Sequence, residues 1–223
     1  MDVEAVRARV AGAAARSGRP PEAVRLVAVT KGHPIGRVRE ALAAGLVDVG
    51  ENRVHEALAK QDEWPGAPVR WHLIGHLQRN KAKLAVGRFA LIHSLDSVRL
   101  ADALELEAAR RDAVQDVLVE VNVAREPQKS GAMPEEAERI VAHAATLSHV
   151  RVSGLMTMAP LTEDMAVMRR TFAGLRELKE RLTANGQRLS ELSMGMSGDF
   201  EIAIEEGATM VRLGTVLFGE RKV

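Results

Sequence analysis

The chain has 223 residues, 46% of them apolar and 27% charged, with 31 Lys and Arg against 30 Asp and Glu. That is enough apolar surface for one sizeable core, and the near-zero charge balance supplies no global field for nucleic acid or an anionic membrane. The absence of cysteine excludes disulfides, thiolate metal sites and thiol nucleophiles together, which suits a reducing compartment. Residues 1–16 form an amphipathic Ala/Val/Arg/Glu pattern rather than a signal peptide. Apolar runs are interrupted well short of the ~20 residues a bilayer span needs. One soluble, cytoplasmic domain over residues 1–223 is the expectation.

In chain order, a helix is expected over residues 3–17. Short β-branched runs bounded by turn residues follow at 25–30, 46–49, 70–74, 90–94, 117–121, 151–156, 191–194 and 210–213. Helices are expected to begin near Pro34, Arg53, Leu77, Asp96, Pro134, Glu163 and Gly198, several opened by Pro or Asp in the first-turn or cap role. Such alternation implies parallel strands with crossover helices. The pattern fits an α/β fold, a single (β/α)8 barrel of the TIM type, although a doubly wound open sheet gives a similar string. Only a short tail follows the last strand, so the N-terminal helix is expected to fill the outer ring where an eighth helix is missing.

In either architecture, ligands sit at the carboxyl ends of the strands. Those positions are polar here: Lys31 follows the first run, Gly50, Glu51 and Asn52 the second, and Asn122 the fifth. The last two runs lead into the segments Gly195-Met196-Ser197-Gly198-Asp199 and Arg212-Leu213-Gly214-Thr215. Of seven lysines, Lys31 alone ends an apolar run; Lys60, Lys81, Lys83 and Lys179 fall in charged helical surroundings, Lys129 in a polar loop and Lys222 in the tail. A lysine partly desolvated at a barrel mouth shifts towards the neutral amine that attacks an aldehyde; the alternative is an ordinary ion pair with a carboxylate such as Glu51. Ser197 and Gly198 precede a helical pattern, and Gly214 and Thr215 offer similar equipment for a phosphate. Asp199, as a helix cap, would repel one. A reactive lysine and a phosphate cradle leave two ligands open, a phosphosugar aldehyde or pyridoxal phosphate.

Seven motifs decide between them: LVAVTK (26–31), GEN (50–52), WHLIGHLQRNK (71–81), KSG (129–131), GLMTM (154–158), LSMGMSGDFEIAI (192–204) and MVRLGT (210–215). In this order and spacing, over residues 24–221, they resemble the YggS/PROSC family of pyridoxal phosphate homeostasis proteins, whose barrel is similar to the N-terminal domain of alanine racemase. The resemblance implies that Lys31 carries pyridoxal 5'-phosphate as a Schiff base. It further implies that Ser197, Gly214 and Thr215 hold the phosphate, that Arg212 lies by the pyridine nitrogen and that Asn52 lines the ring pocket. A cation beside that nitrogen disfavours its protonation and restrains carbanion chemistry.

The resembling racemases place a tyrosine opposite the lysine and related decarboxylases a cysteine, and this chain contains neither. The expectation is a non-enzymatic buffer or carrier, a monomer or weak dimer, whose partners are the cofactor and apo pyridoxal phosphate enzymes. An amino-acid racemase and a cofactor-free aldolase are the alternatives. His72 and His76 have helical metal-pair spacing but fall at a strand, so no metal is expected. Residues 169–181 read as an ordinary solvated helix face. Met156, Met158, Met194 and Met196 are expected as barrel core or as padding for the ring.

Overall fold

The computed structural model describes residues 2–220; Met1, Arg221 and Lys222 of the sequence reading lie outside them. Eight parallel strands close into a barrel in sequence order: β1 Arg25–Val29, β2 Asp48–Glu51, β3 Arg70–Leu73, β4 Leu91–Leu95, β5 Gln115–Glu120, β6 Val150–Met156, β7 Glu191–Ser193 and β8 Met210–Leu213. The closure is the pairing of β1 with β8, Leu26 opposite Val211 and Ala28 opposite Leu213. An open doubly wound sheet is thereby excluded.

The crossovers are α2 Ile35–Ala43, α3 Val54–Glu63, α4 Ala82–Ala85, α5 Val98–Ala109, α6 Pro134–Ala144, α7 Met165–Ala184 and α8 Phe200–Glu205. Caps explain several starts: Ser97 accepts from the Leu100 N–H at 3.3 Å, and Asp164 from the Ala166 N–H at 2.8 Å. The helix expected near Leu77 is a single turn, Arg79–Lys81, leading into the four-residue α4. Extended backbone at Gln78 and at Val86 cuts it short on both sides. The second strand lies two residues later than expected, because its Cα partners run from Asp48 to Glu51 and leave Leu46 and Val47 outside the ladder.

The N-terminal helix, α1 Val3–Arg16, does occupy the gap in the outer ring. Its Arg7 donates to the Ala44 carbonyl at the end of α2, at 3.0 Å. On the other side Arg9 and Arg16 pair with Glu201 and Glu205 of α8, both at 2.7 Å. The tail after β8 is not wholly irregular; it forms one turn, α9 Thr215–Phe218.

Two apolar layers result. The larger joins helices to the outer sheet face, and α7 contributes Phe172, Leu175 and Leu178 while its Arg169 and Arg176 pair with Glu205 and Glu206. Inside the barrel, Val27, Leu91, Leu118, Met156 and Met210 pack as a separate plug, the filled interior that this architecture requires. Above that plug, at the carboxyl ends of the strands, the interior opens.

Candidate functional site

The opening is a cavity of about 460 Å³, within the range of small-ligand pockets, and Lys31, Asn52, Ser197, Arg212, Gly214 and Thr215 all line it. The barrel thus brings the six residues singled out in the sequence to one place. Lys31 stands two residues past the end of β1, after Thr30, and Gly32 has φ +71°, a left-handed turn that a side chain would strain. Gly195 turns the chain after β7 at φ +94°, and a Cβ there would stand 2.6 Å from the Ala203 Cβ. The loop carrying Ser197 is thereby folded onto α8. The Ser197 hydroxyl accepts from the backbone N–H groups of Gly214 at 3.4 Å and Val216 at 3.2 Å, joining the two terminal loops into one wall.

Arg212 is 4% exposed. Its Nη1 donates to the Ser193 hydroxyl at 2.6 Å and its Nη2 to the Thr157 carbonyl at 2.9 Å. Burial pulls its pKa down to about 10, against the opposing charges of Asp199 and Glu120, so it remains a cation at neutral pH. Asp199 precedes α8 but does not cap it; its carboxylate turns back and accepts from the Met196 N–H at 2.6 Å. Burial raises its pKa, which weakens the repulsion of an anion expected from the sequence.

Lys60 departs most from its sequence reading. It is not a solvated helical lysine: at 6% exposure it donates to Glu51 at 2.6 Å, to the Thr30 carbonyl at 2.8 Å and to Glu56 at 3.1 Å. Glu56 in turn accepts from the Gly32 N–H at 2.5 Å, so the peptide groups on both sides of Lys31 are tethered to one buried ion cluster. Glu51 is taken by Lys60.

The cavity also holds His76, Glu120 and Ser130, which strand-end counting passed over, and Met158 and Met196, two of the four methionines read as core or as padding for the ring. At β5 that counting pointed to Asn122, yet Asn122 bonds both polar atoms locally to the Glu126 backbone. Glu120, two residues earlier, shares the inward face with Leu118 and is the residue on the wall; the period of two carried that signal. Because β5 stands four strands from β1 in the ring, Glu120 lies across the mouth from Lys31. One of its oxygens accepts from Ser130 at 2.5 Å, and the other is buried without a partner. His72 and His76 part company: His72 points into the barrel beside Asp48, while His76 is half exposed near Asp96 at 3.3 Å. Among the described residues no cluster has the makings of a metal site.

Burial is the first cause that raises the Glu120 pKa above the ordinary 4.5, with Asp96 adding to it. Its contribution to stability is therefore present below 4.5 and lost as pH climbs through the raised value. Gln does not titrate. The difference in thermal midpoint between Glu120→Gln and the parent is expected to grow in the variant's favour from acid to neutral pH; a pH-independent difference would contradict the shift.

The family model of the alanine racemase N-terminal domain matches residues 1–222. The chain is 45% identical over 215 residues to the pyridoxal phosphate homeostasis protein of Aquifex aeolicus, covering 96% of this chain and 94% of that one. It is 42% identical over 220 residues to the protein of the same name from Pseudomonas aeruginosa, covering 99% and 94%. Among solved structures it is similar to PipY of Synechococcus elongatus with PLP bound, at TM-score 0.84 and 40% identity over 96% of this chain and 100% of that one. The names of these relatives are those of a homeostasis protein rather than of an enzyme.

Proposed function

This chain belongs to the alanine racemase N-terminal-domain family and, within it, to the pyridoxal phosphate homeostasis proteins; from that premise we propose that it is a pyridoxal 5'-phosphate carrier that holds the cofactor as a Schiff base on Lys31. The observation that carries this reading is the shared cavity, with one lysine, one buried arginine and the two terminal loops on its walls. The donor set fits the ligand: an amine for an aldehyde, hydroxyl and backbone N–H groups for a phosphate, and a guanidinium for a ring nitrogen.

Ser197, Gly214 and Thr215 hold the phosphate, Asn52 lines the ring and Arg212 lies by the pyridine nitrogen. The Lys31 amine adds to the aldehyde carbon, and both amine hydrogens leave with the carbonyl oxygen as water. Since water reverses the step, the carrier limits the free aldehyde and can yield it to apo pyridoxal phosphate enzymes. Its proposed setting is the cytoplasm, as one domain and a monomer or weak dimer; no helix among the described residues is long and apolar enough to cross a membrane.

Borohydride reduction of the loaded protein followed by peptide mapping tests the tether. The pyridoxyl label is expected on Lys31 alone. A label on Lys81 or Lys129, or none after incubation with excess cofactor, would defeat the assignment.

A further inference from the structure

The barrel interior contains a continuous line of buried polar side chains that neither the plug nor the ligand cavity requires. Asp48 on β2 meets His72 Nε2 on β3 at 2.8 Å, and His72 Nδ1 meets His93 Nε2 on β4 at 2.9 Å. His93 Nδ1 then meets the Ser193 hydroxyl on β7 at 3.0 Å, and Ser193 receives Arg212 Nη1 at 2.6 Å. None of the five is more than 4% exposed. At the far end Asp48 also accepts two bonds from Arg70, at 2.8 and 2.6 Å, so the line runs from the amino-terminal mouth of the barrel to Arg212 under the cavity.

The two ends fix the direction of every link. A guanidinium only donates and a carboxylate only accepts. With both imidazoles neutral, one assignment satisfies all four links. Arg212 donates to Ser193, the Ser193 hydroxyl to His93 Nδ1, His93 Nε2–H to His72 Nδ1, and His72 Nε2–H to Asp48. Adding a proton to His72 reverses its link to His93 and the next one to Ser193. The Ser193 hydrogen then has no acceptor among these groups, and a second cation stands in the barrel beside Arg212.

We propose that Asp48, His72, His93 and Ser193 form a one-way hydrogen-bond relay that positions Arg212 for the ring of the bound ligand, with both histidines neutral and protonated on Nε2. The carboxylate polarises the chain so that Ser193 presents a lone pair to Arg212, since linked hydrogen bonds strengthen one another in a low-dielectric interior. Burial first, and then the charges of Arg212 and Arg25 among others, hold the His93 pKa well below its ordinary value, in keeping with a neutral ring. These four are positioning residues, acting on the ligand only through Arg212. The relay is defined without a ligand, and its effect on the ligand rests on the reading of Arg212 given above.

Nitrogen-15 NMR of the unliganded protein at neutral pH tests the relay directly. Both rings are expected as neutral Nε2–H tautomers. An Nδ1–H tautomer at His93, or an imidazolium at His72, would overturn it whatever the protein binds. In folded Ser193→Ala and His93→Leu, the dissociation constant for pyridoxal phosphate is expected to rise about tenfold with a changed absorption maximum of the bound cofactor. The double variant is expected to be little worse than either single, because both cut one chain. His93→Gln, which offers a donor and an acceptor, restores most of the loss. Unchanged spectrum and affinity in Ser193→Ala would also overturn the proposal. A protein with the expected tautomers that takes up no cofactor would refute the carrier reading alone.

Discussion

Lys31→Ala is expected to fold as the parent does and to lose covalent capture entirely: no shifted absorption band on mixing with pyridoxal phosphate, and no borohydride-fixed label. The residues proposed to hold the phosphate are untouched in the variant, so weak reversible binding should persist with a dissociation constant raised by about a hundredfold or more, about 2.7 kcal/mol. Lys31→Arg separates charge from chemistry. It keeps a cation at the strand end but offers no amine to condense with an aldehyde, and it should be as defective as Ala in capture. Because Lys31 is only half-buried at the cavity wall, both variants should unfold close to the parent. Equilibrium dialysis with absorbance decides the matter. An alanine variant that still forms the shifted band would show that another lysine carries the aldehyde, and Lys60 is an unfavourable candidate because its ammonium is enclosed by Glu51, Glu56 and the Thr30 carbonyl.

The difference in fate between Lys31 and Lys60 shows what local pattern can and cannot reveal. Lys31 was legible because a cation ending a β-branched run has one address in a parallel barrel, the ligand face. Ser197, Gly214 and Thr215 were legible for the same reason, and their motifs added the ligand. Lys60 sits among Glu56, Gln61 and Asp62 on a helix whose pattern reads as solvated. Its burial depends on α3 packing against β2 so that Lys60 reaches Glu51 and the Thr30 carbonyl, a tertiary fact with no local signature. Glu120 and Asn122 make the complementary case. The period of two gives them the same face and cannot separate them; β5 ends at Glu120, and Asn122, beyond the strand, spends its amide on the Glu126 backbone. His72 was rightly separated from His76 by strand against loop, but its partners Asp48 and His93, and Ser193 beyond His93, come from three other strands. β2 and β4 flank β3 in the sheet, but only ring closure brings β7 within reach of His93.

Lys60→Met is expected to be the most destabilising of the substitutions considered, at about 3–5 kcal/mol by chemical denaturation at neutral pH. That is the usual cost of removing one partner from a buried ion pair. The stem of methionine can fill the space, so the loss is electrostatic. Glu51, fully buried, would keep only the Thr30 hydroxyl at 2.5 Å, and its second oxygen already has no partner. Burial raises the Glu51 pKa while Lys60 opposes that rise, so deleting the ammonium pushes the carboxyl further up. A raised acid contributes stability that is present at low pH and lost as pH rises through its folded value. The deficit of Lys60→Met should therefore shrink on acidification towards the ordinary carboxyl range and be largest above it. Lys60→Met combined with Glu51→Gln removes the stranded charge and should recover a good part of the loss at neutral pH. Lys60→Met should also capture the cofactor more weakly, since the Thr30 carbonyl loses its donor and Glu56, which holds the Gly32 N–H, loses its cation. A loss below about 1 kcal/mol, the level of an exposed pair, would mean that water reaches Glu51 and that the cluster does not set the backbone of Lys31.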